Sequence, residues 1–154
     1  MSTYLEAIWQ FLSITEVGLI AIGITSFFAA TVLPLGSEPY LIGFLELHPE
    51  KYLEALVVAS IANTFGGVST WYLGNLSNRI ITSTSRFEKY PKLLILLNKY
   101  GSKLLILSWL PVIGDVISGL AGWLKLPLLP CFFYMLIGKS LRYIIIASLF
   151  LQFR

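Results

Sequence analysis

LPLGSEPYLIGFLEL, residues 33–47, and LPVIGDVISGLAGWLKL, residues 110–126, are two copies of one signature. Each opens Leu-Pro and places a carboxylate four residues after the proline: Glu38 follows Pro34, and Asp115 follows Pro111. Each closes on Gly-aromatic-Leu-charge-Leu, GFLEL from Gly43 and GWLKL from Gly122, with a two-residue insertion in the second copy. The stretches on either side of each acid are apolar. A charge at the centre of a membrane-spanning helix costs about 2.5–3.5 kcal/mol on insertion scales, so it needs a partner or a wet cavity. Meeting that cost twice in one frame makes Glu38 and Asp115 the first candidates for function.

The surroundings are those of a membrane chain. Of 154 residues, 56% are hydrophobic and 12% charged, against roughly 25% charged in a soluble domain. The length fits a single membrane domain over 1–154, with repeat one at about 17–76, a linker at about 77–100 and repeat two at about 101–153. The start, MSTYLE, lacks the basic region of a secretory signal, so the N-terminus is expected to be retained. The single Cys131 excludes an internal disulfide, and with His48 it makes no metal constellation. No cofactor and no metal are expected.

Charge is segregated. Residues 1–78 hold six Glu and one Lys. Residues 79–103 hold Arg79, Arg86, Lys89, Lys92, Lys99 and Lys103 against Glu88 alone. Such a bias sets orientation rather than nucleic-acid binding, and it predicts a cytoplasmic 79–103 segment. There the cations alternate with Ile80, Phe87, Tyr90, Leu94 and Leu97 at helical steps, with Pro91 as an interruption. A basic amphipathic helix on the membrane surface fits.

Residues 4–15 read as an interfacial helical start. The uncharged run Val17 to Ser37 is 21 residues, long enough to span, but Pro34 falls near its end and Glu38-Pro39 follows at once. The seven uncharged residues from Pro39 to Leu45 can only turn back. Residues 24–47 therefore read as a re-entrant hairpin with its tip at Pro34 to Pro39, and His48 to Glu54 as an extracytoplasmic turn. Ala55 to Asn78 is 24 uncharged residues, a transmembrane helix. Asn63, Gly66 and Gly67 put small and polar groups on its faces for close packing, and Trp71 and Tyr72 lie where interfacial aromatics belong. In the second half, runs of 11 and nine uncharged residues flank Asp115, and neither spans. They make the second hairpin, tipped at Pro111 to Asp115, with Gly119 and Gly122 as packing residues. Leu126 to Phe153 is the last spanning helix, with Lys139 and Arg142 in its middle.

The predicted fold is thus an all-α integral membrane protein. Two re-entrant helix hairpins, each followed by a transmembrane helix, form an inverted repeat joined by a basic amphipathic cytoplasmic segment. Broken helices meeting at the midplane are the plan of many secondary transporters. Pro34 and Pro111 break the helices, and Asn63 is expected to satisfy freed hairpin backbone. Glu38 and Asp115 are read as proton-handling groups, against the plainer reading that both face interfacial water. Lys139 and Arg142, three apart on one helix face, are read as an anion site or as counter-charges locking the hairpins. Ser13, Ser108 and Ser118 have no base at useful spacing, so no enzyme is predicted.

ATVLPLGSE ending at Glu38, ANTFGGVSTWYLGN at 62–75, LSWLPVIGDVISGLAGWLK at 107–125 and GKSLRY at 138–143 together resemble the DedA family of small bacterial inner-membrane proteins. This family is related to the eukaryotic VTT-domain lipid scramblases, and the resemblance is closest to its short YqaA-type branch. It implies two re-entrant hairpins packed as an inverted repeat. It also implies proton-dependent transport in the bacterial inner membrane, with polyprenyl phosphate (the undecaprenyl-phosphate type) among the cargoes. Ser108 and Gly114 stand where longer members carry arginines, so Lys139 and Arg142 are the positive charges available. The partners expected are membrane lipids, protons and a second copy of the chain, but no nucleic acid. A non-transporting scaffold, with its buried charges as a lock, is the rival reading.

Overall fold

The computed structural model describes residues 15–31, 37–80 and 91–153. Pro34, the helical start expected over 4–15 (all but Thr15) and the basic stretch 81–90 lie outside the described residues. Six α-helices follow in order among the described residues: α1 (Thr15–Ala29), α2 (Glu38–Leu47), α3 (Tyr52–Ile80), α4 (Pro91–Tyr100), α5 (Ile113–Trp123) and α6 (Leu128–Phe153). A single 3-10 turn at Pro49–Lys51 leads into α3, and a longer 3-10 segment, Gly101–Trp109, leads from α4 toward α5. No strand occurs among the described residues.

Two stretches are long and apolar enough to cross a membrane, Pro49–Asn78 and Leu128–Phe150. Their outward faces carry the large apolar side chains. Leu53, Val57, Ile61 and Phe65 recur every four residues on α3 and are all exposed, as are Leu129, Phe133, Ile137 and Leu141 on α6. In water such stripes would drive association. In hydrocarbon they are the expected surface, and the small and polar residues turn inward.

Packing follows one scheme in both halves. The arm before each break lies on the long helix of its own half, α1 on α3 and the 3-10 segment on α6. The arm after the second break, α5, packs chiefly on α3 of the other half, and α2 touches α6 as well as α1 and α3 of its own half. Backbones come closest between α3 and α5. A Cβ on Gly74 would run into the Gly119 carbonyl, and one on Gly122 into the Trp71 carbonyl. Of the other predicted packing glycines, Gly66 lies against the Phe27 carbonyl of α1 and Gly67 against Met135 and Lys139 of α6.

Pro91 is the first described residue of α4, and the stretch before it lies outside the described residues. Leu97 of α4 is fully buried in a cluster with Leu104, Leu105 and Leu120, so this helix docks on the second half. One sequence expectation is corrected: Trp71 is not an interfacial ring. It is 7% exposed and sits in that cluster, while Tyr72 beside it faces out.

The break at Pro111 is a tight one. Val112 has φ 65° and ψ −53°, and Ile113 N donates to Pro111 O at 2.7 Å. This is a γ-turn of the positive-φ kind, which is rare and strained, and strain is greatest for a β-branched residue. Val112 is 63% exposed and packs little. Glycine there relieves about 1–2 kcal/mol of left-handed strain and gives back about 0.5–1 kcal/mol of backbone entropy. Val112→Gly is therefore expected to leave the thermal midpoint in detergent micelles unchanged or raise it by up to about 4 °C. A clear fall would contradict the turn assignment.

Apolar clusters occupy the two ends of the molecule. One joins Ile22, Leu41, Phe44, Ala55, Ala59 and Ala147; the other joins Trp71, Leu105, Ile117, Leu120, Cys131 and Met135. Along α3 the residue between them is Asn63. Along α6 it is Lys139, with Arg142 and Tyr143 one turn on. A polar layer thus lies where two cores meet.

Candidate functional site

Both acids occupy the same local position. Glu38 is in the first turn of α2 and Asp115 in the first turn of α5. The helix dipole and unpaired N–H groups favour an anion there. The helix start at or just before each acid creates that position. Pro111 stands at its break, in the γ-turn described above.

Each acid meets a cation from α6. Arg142 pairs with Glu38, Nη2 to Oε1. Lys139 Nζ lies 3.5 Å from Asp115 Oδ1. The four groups differ sharply in access. Side-chain exposure is 20% for Glu38, 22% for Arg142, 37% for Asp115 and 3% for Lys139. Lys139 has three N–H donors and no more. Two go to Asn63, to its O at 2.9 Å and its Oδ1 at 2.5 Å, and the Asp115 carboxylate stands beside the ammonium as counter-charge. Arg142 has five donors in a planar fork, and its hydrogen bond to a side chain is the one to Glu38. Arg142 is thus the cation with donors to spare and the less enclosed of the two.

Asn63 is the hub. Its amide nitrogen donates to Ser26 O at 2.8 Å and to Tyr143 Oη at 3.0 Å. Ser26 O belongs to the last turn of α1, whose carbonyls lack helical partners. The other ends of that turn close locally, Ala30 N to Phe27 O and Thr31 N to Phe28 O, and Thr70 of α3 donates to Ala30 O at 2.9 Å. Polar residues of α3 thus cap the C-terminal end of α1. On the other side of the layer, Tyr143 Oη and Ser37 Oγ are 2.6 Å apart. Ser37 is the residue at the N-cap of α2, but its hydroxyl makes no cap hydrogen bond.

The predicted residues Glu38, Asp115, Lys139, Arg142 and Asn63 therefore fall into one continuous polar layer. Glu38 and Asp115 do not share a single counter-ion: each has its own. Two members were missed in the sequence. Tyr143 is 1% exposed and Ser37 3%, and both connect the layer. The signal for Tyr143 is its spacing, four residues after Lys139, which puts both on one helix face. Ser37 carried no signal beyond its place next to Glu38. Among the described residues no group of three or more His, Cys, Asp or Glu gathers to hold a metal ion.

With this geometry in place, comparison with known proteins is decisive. The VTT domain matches residues 35–152, from just before α2 almost to the end of α6. The chain belongs to the VTT-domain family. Both ion pairs, Asn63 and both long helices lie within the matched region, and α1 lies before it. It is 34% identical over 128 residues to inner membrane protein YqaA of Escherichia coli strain K12, covering 83% of this chain and 87% of that protein. It is 31% identical over 138 residues to an uncharacterized protein of Haemophilus influenzae, covering 84% of this chain and 83% of the relative. No solved structure matches. The chain is therefore a membrane protein of the VTT-domain family, the DedA family, as the four quoted motifs indicated.

Proposed function

We propose that the chain is a proton-linked carrier of an anionic lipid headgroup, of the polyprenyl phosphate type, in the bacterial inner membrane. The observation that carries this reading is the pairing of two first-turn carboxylates with two α6 cations at the meeting of two apolar cores. Ionisable residues inside a membrane protein are functional by default, because their burial is costly without a use. Arg142 offers the fork that suits a phosphate. Glu38 is the carboxylate the phosphate displaces, and its protonation is what lets the exchange occur without leaving a bare charge. Asp115 is the second proton-handling group.

The exchange of partners between halves supports an inverted repeat of two re-entrant hairpins. In that arrangement the basic 79–103 segment faces the cytoplasm and the hairpins open to opposite sides. The family and the name of the Escherichia coli relative support placement in the inner membrane. Two long helices make a thin wall, so the carrier works as a homo-oligomer.

A second reading is favoured by one observation. Lys139 is held by both oxygens of Asn63 and by Asp115 and is enclosed within the protein. The Asp115–Lys139 pair then acts as a structural lock, as in a non-transporting scaffold, and Arg142 alone meets the anion.

The test is reconstitution of wild type and Arg142→Gln in liposomes containing polyprenyl phosphate, following headgroup exposure on the outer face with and without an imposed pH gradient. Wild type is expected to move the headgroup faster with the gradient. Arg142→Gln removes a charged hydrogen bond of about 1.5–3 kcal/mol and is expected to slow it about 10-fold or more. Equal rates would remove Arg142 from the site. No movement by wild type would rule out this cargo. Loss of folded protein in Glu38→Gln and Asp115→Asn, in step with lost activity, would favour the scaffold.

A further inference from the structure

The hydrogen bonds of the polar layer run in one direction, and that direction is fixed by groups that have no choice. Lys139 can only donate, so the end of the Asn63 amide facing it, 2.5 Å away, must be the oxygen. Ser26 O can only accept, so the end facing it must be the nitrogen. The amide is thus oriented from both sides by partners of opposite kind, and the orientation common to both is the one present. The same nitrogen faces Tyr143 Oη at 3.0 Å. Tyr143 must therefore accept from Asn63. Its one proton is then left for Ser37 Oγ, 2.6 Å away. The string reads Lys139 to Asn63 to Tyr143 to Ser37, each group donating to the next.

The ends of this string are the two ion pairs. Lys139 is bound to Asp115. At the other end Ser37 and Tyr143 are chain neighbours of Glu38 and Arg142, the second pair. Two adjacent residues of α2 thus grip two adjacent residues of α6. Opening the Glu38–Arg142 contact shifts the short α2 start, and with it the Ser37 hydroxyl that receives the Tyr143 proton. Every member but the outer charges is buried: Lys139 2%, Asn63 5%, Tyr143 1% and Ser37 3% exposed. Groups this deeply buried depend on one another for their hydrogen bonds, so a change at one end is answered along the string.

We propose that Tyr143 and Asn63 are positioning residues that couple the two ion pairs. Release of Glu38 from Arg142 re-aims Tyr143, and Asn63 transmits this to Lys139 and Asp115. The proposal rests on the carrier reading for its use, since it is an arriving anion that would displace Glu38. Its physical content does not depend on transport: the state of one hairpin tip is read at the other.

The experiment is 15N NMR of the lysine side-chain ammonium groups in detergent micelles, with no lipid substrate present. The Lys139 resonance is assigned by its loss in Lys139→Met. Glu38→Gln is expected to move that resonance by more than a linewidth. In a Tyr143→Phe background, which keeps the ring and removes the hydroxyl, the same change is expected to leave it in place. Ser37→Ala cuts the string at a second point and is expected to give the same silence, including if Tyr143→Phe folds poorly. A shift of equal size in the cut backgrounds would mean that the pairs sense each other through space, and would overturn the proposal. No shift on Glu38→Gln in the intact string would overturn it too. If wild type moves no polyprenyl phosphate while the resonance still responds, only the carrier reading falls. If transport is seen without the response, only the coupling falls.

Discussion

Asp115→Leu is expected to destabilise the protein by about 3–5 kcal/mol, and more than Lys139→Met does. The inequality follows from burial. The ammonium of Lys139 is sealed, at 3% exposure, while the Asp115 side chain is 37% exposed. Removing the acid leaves a buried cation with two neutral carbonyl oxygens of Asn63 and no counter-charge. Removing the lysine leaves a carboxylate that is not enclosed by the protein and sits in the first turn of a helix, and the loss there is mainly the two acceptors on Asn63, about 1–3 kcal/mol. The pair Asp115→Leu with Lys139→Met removes both charges and is expected to cost less than Asp115→Leu alone. The non-additivity is of the order of 1–3 kcal/mol. Unfolding of the four proteins in mixed micelles, followed by tryptophan fluorescence, measures the cycle. Additive costs, or a larger loss for Lys139→Met, would contradict a sealed cation held by a half-open acid.

That asymmetry was not legible in the sequence, although its parts were. Two intramembrane acids in one repeated frame and two cations three apart on the last helix were plain from composition and spacing. Which acid takes which cation was not, because the choice is made by where α2 and α5 start relative to α6, and those starts are tertiary facts. The sequence offered Lys139 and Arg142 together as counter-charges without dividing them between the acids. The structure gives Arg142 to Glu38 and Lys139 to Asp115. With a one-turn separation on α6, one guanidinium does not serve two helix starts.

The helices themselves were largely readable. Uncharged run length marked α3 and α6, and the run lengths around the acids marked arms too short to span. What misled was local chemistry with two meanings. Trp71 suits an interface, yet here its ring is buried with Leu97, Leu105 and Leu120, and its backbone lies against Gly122, where α3 and α5 touch. A ring's environment is set by the helix across from it, and a single strand of sequence does not contain that helix. Tyr143 escaped notice for a related reason. In an apolar helix a tyrosine reads as another packing residue, and its hydroxyl matters only because Asn63 and Ser37 come to it from two other helices.

Asn63→Leu is expected to cost about 3–5 kcal/mol, as much as removing a charge, although it changes a neutral residue for one of similar size. One substitution strips a partner from three buried groups: Ser26 O, Tyr143 Oη and the Lys139 ammonium. Each unsatisfied group costs about 1–3 kcal/mol. The total falls short of the sum because Tyr143 keeps Ser37 and Lys139 keeps Asp115 and the residue 63 backbone carbonyl. Asn63→Asp separates the two ends of the amide. The new carboxylate accepts from Lys139 more strongly than the amide oxygen did. It offers no proton to Ser26 O, however, and turns an acceptor toward Tyr143. Tyr143 must then donate inward and Ser37 must donate to Tyr143, so the string reverses. Unfolding in micelles is expected to rank the leucine variant as the less stable, because the aspartate retains the lysine end. The Lys139 ammonium resonance is expected to move in both variants. A fully wild-type stability for Asn63→Leu would show that the amide only fills space, and the polar layer would then have no centre.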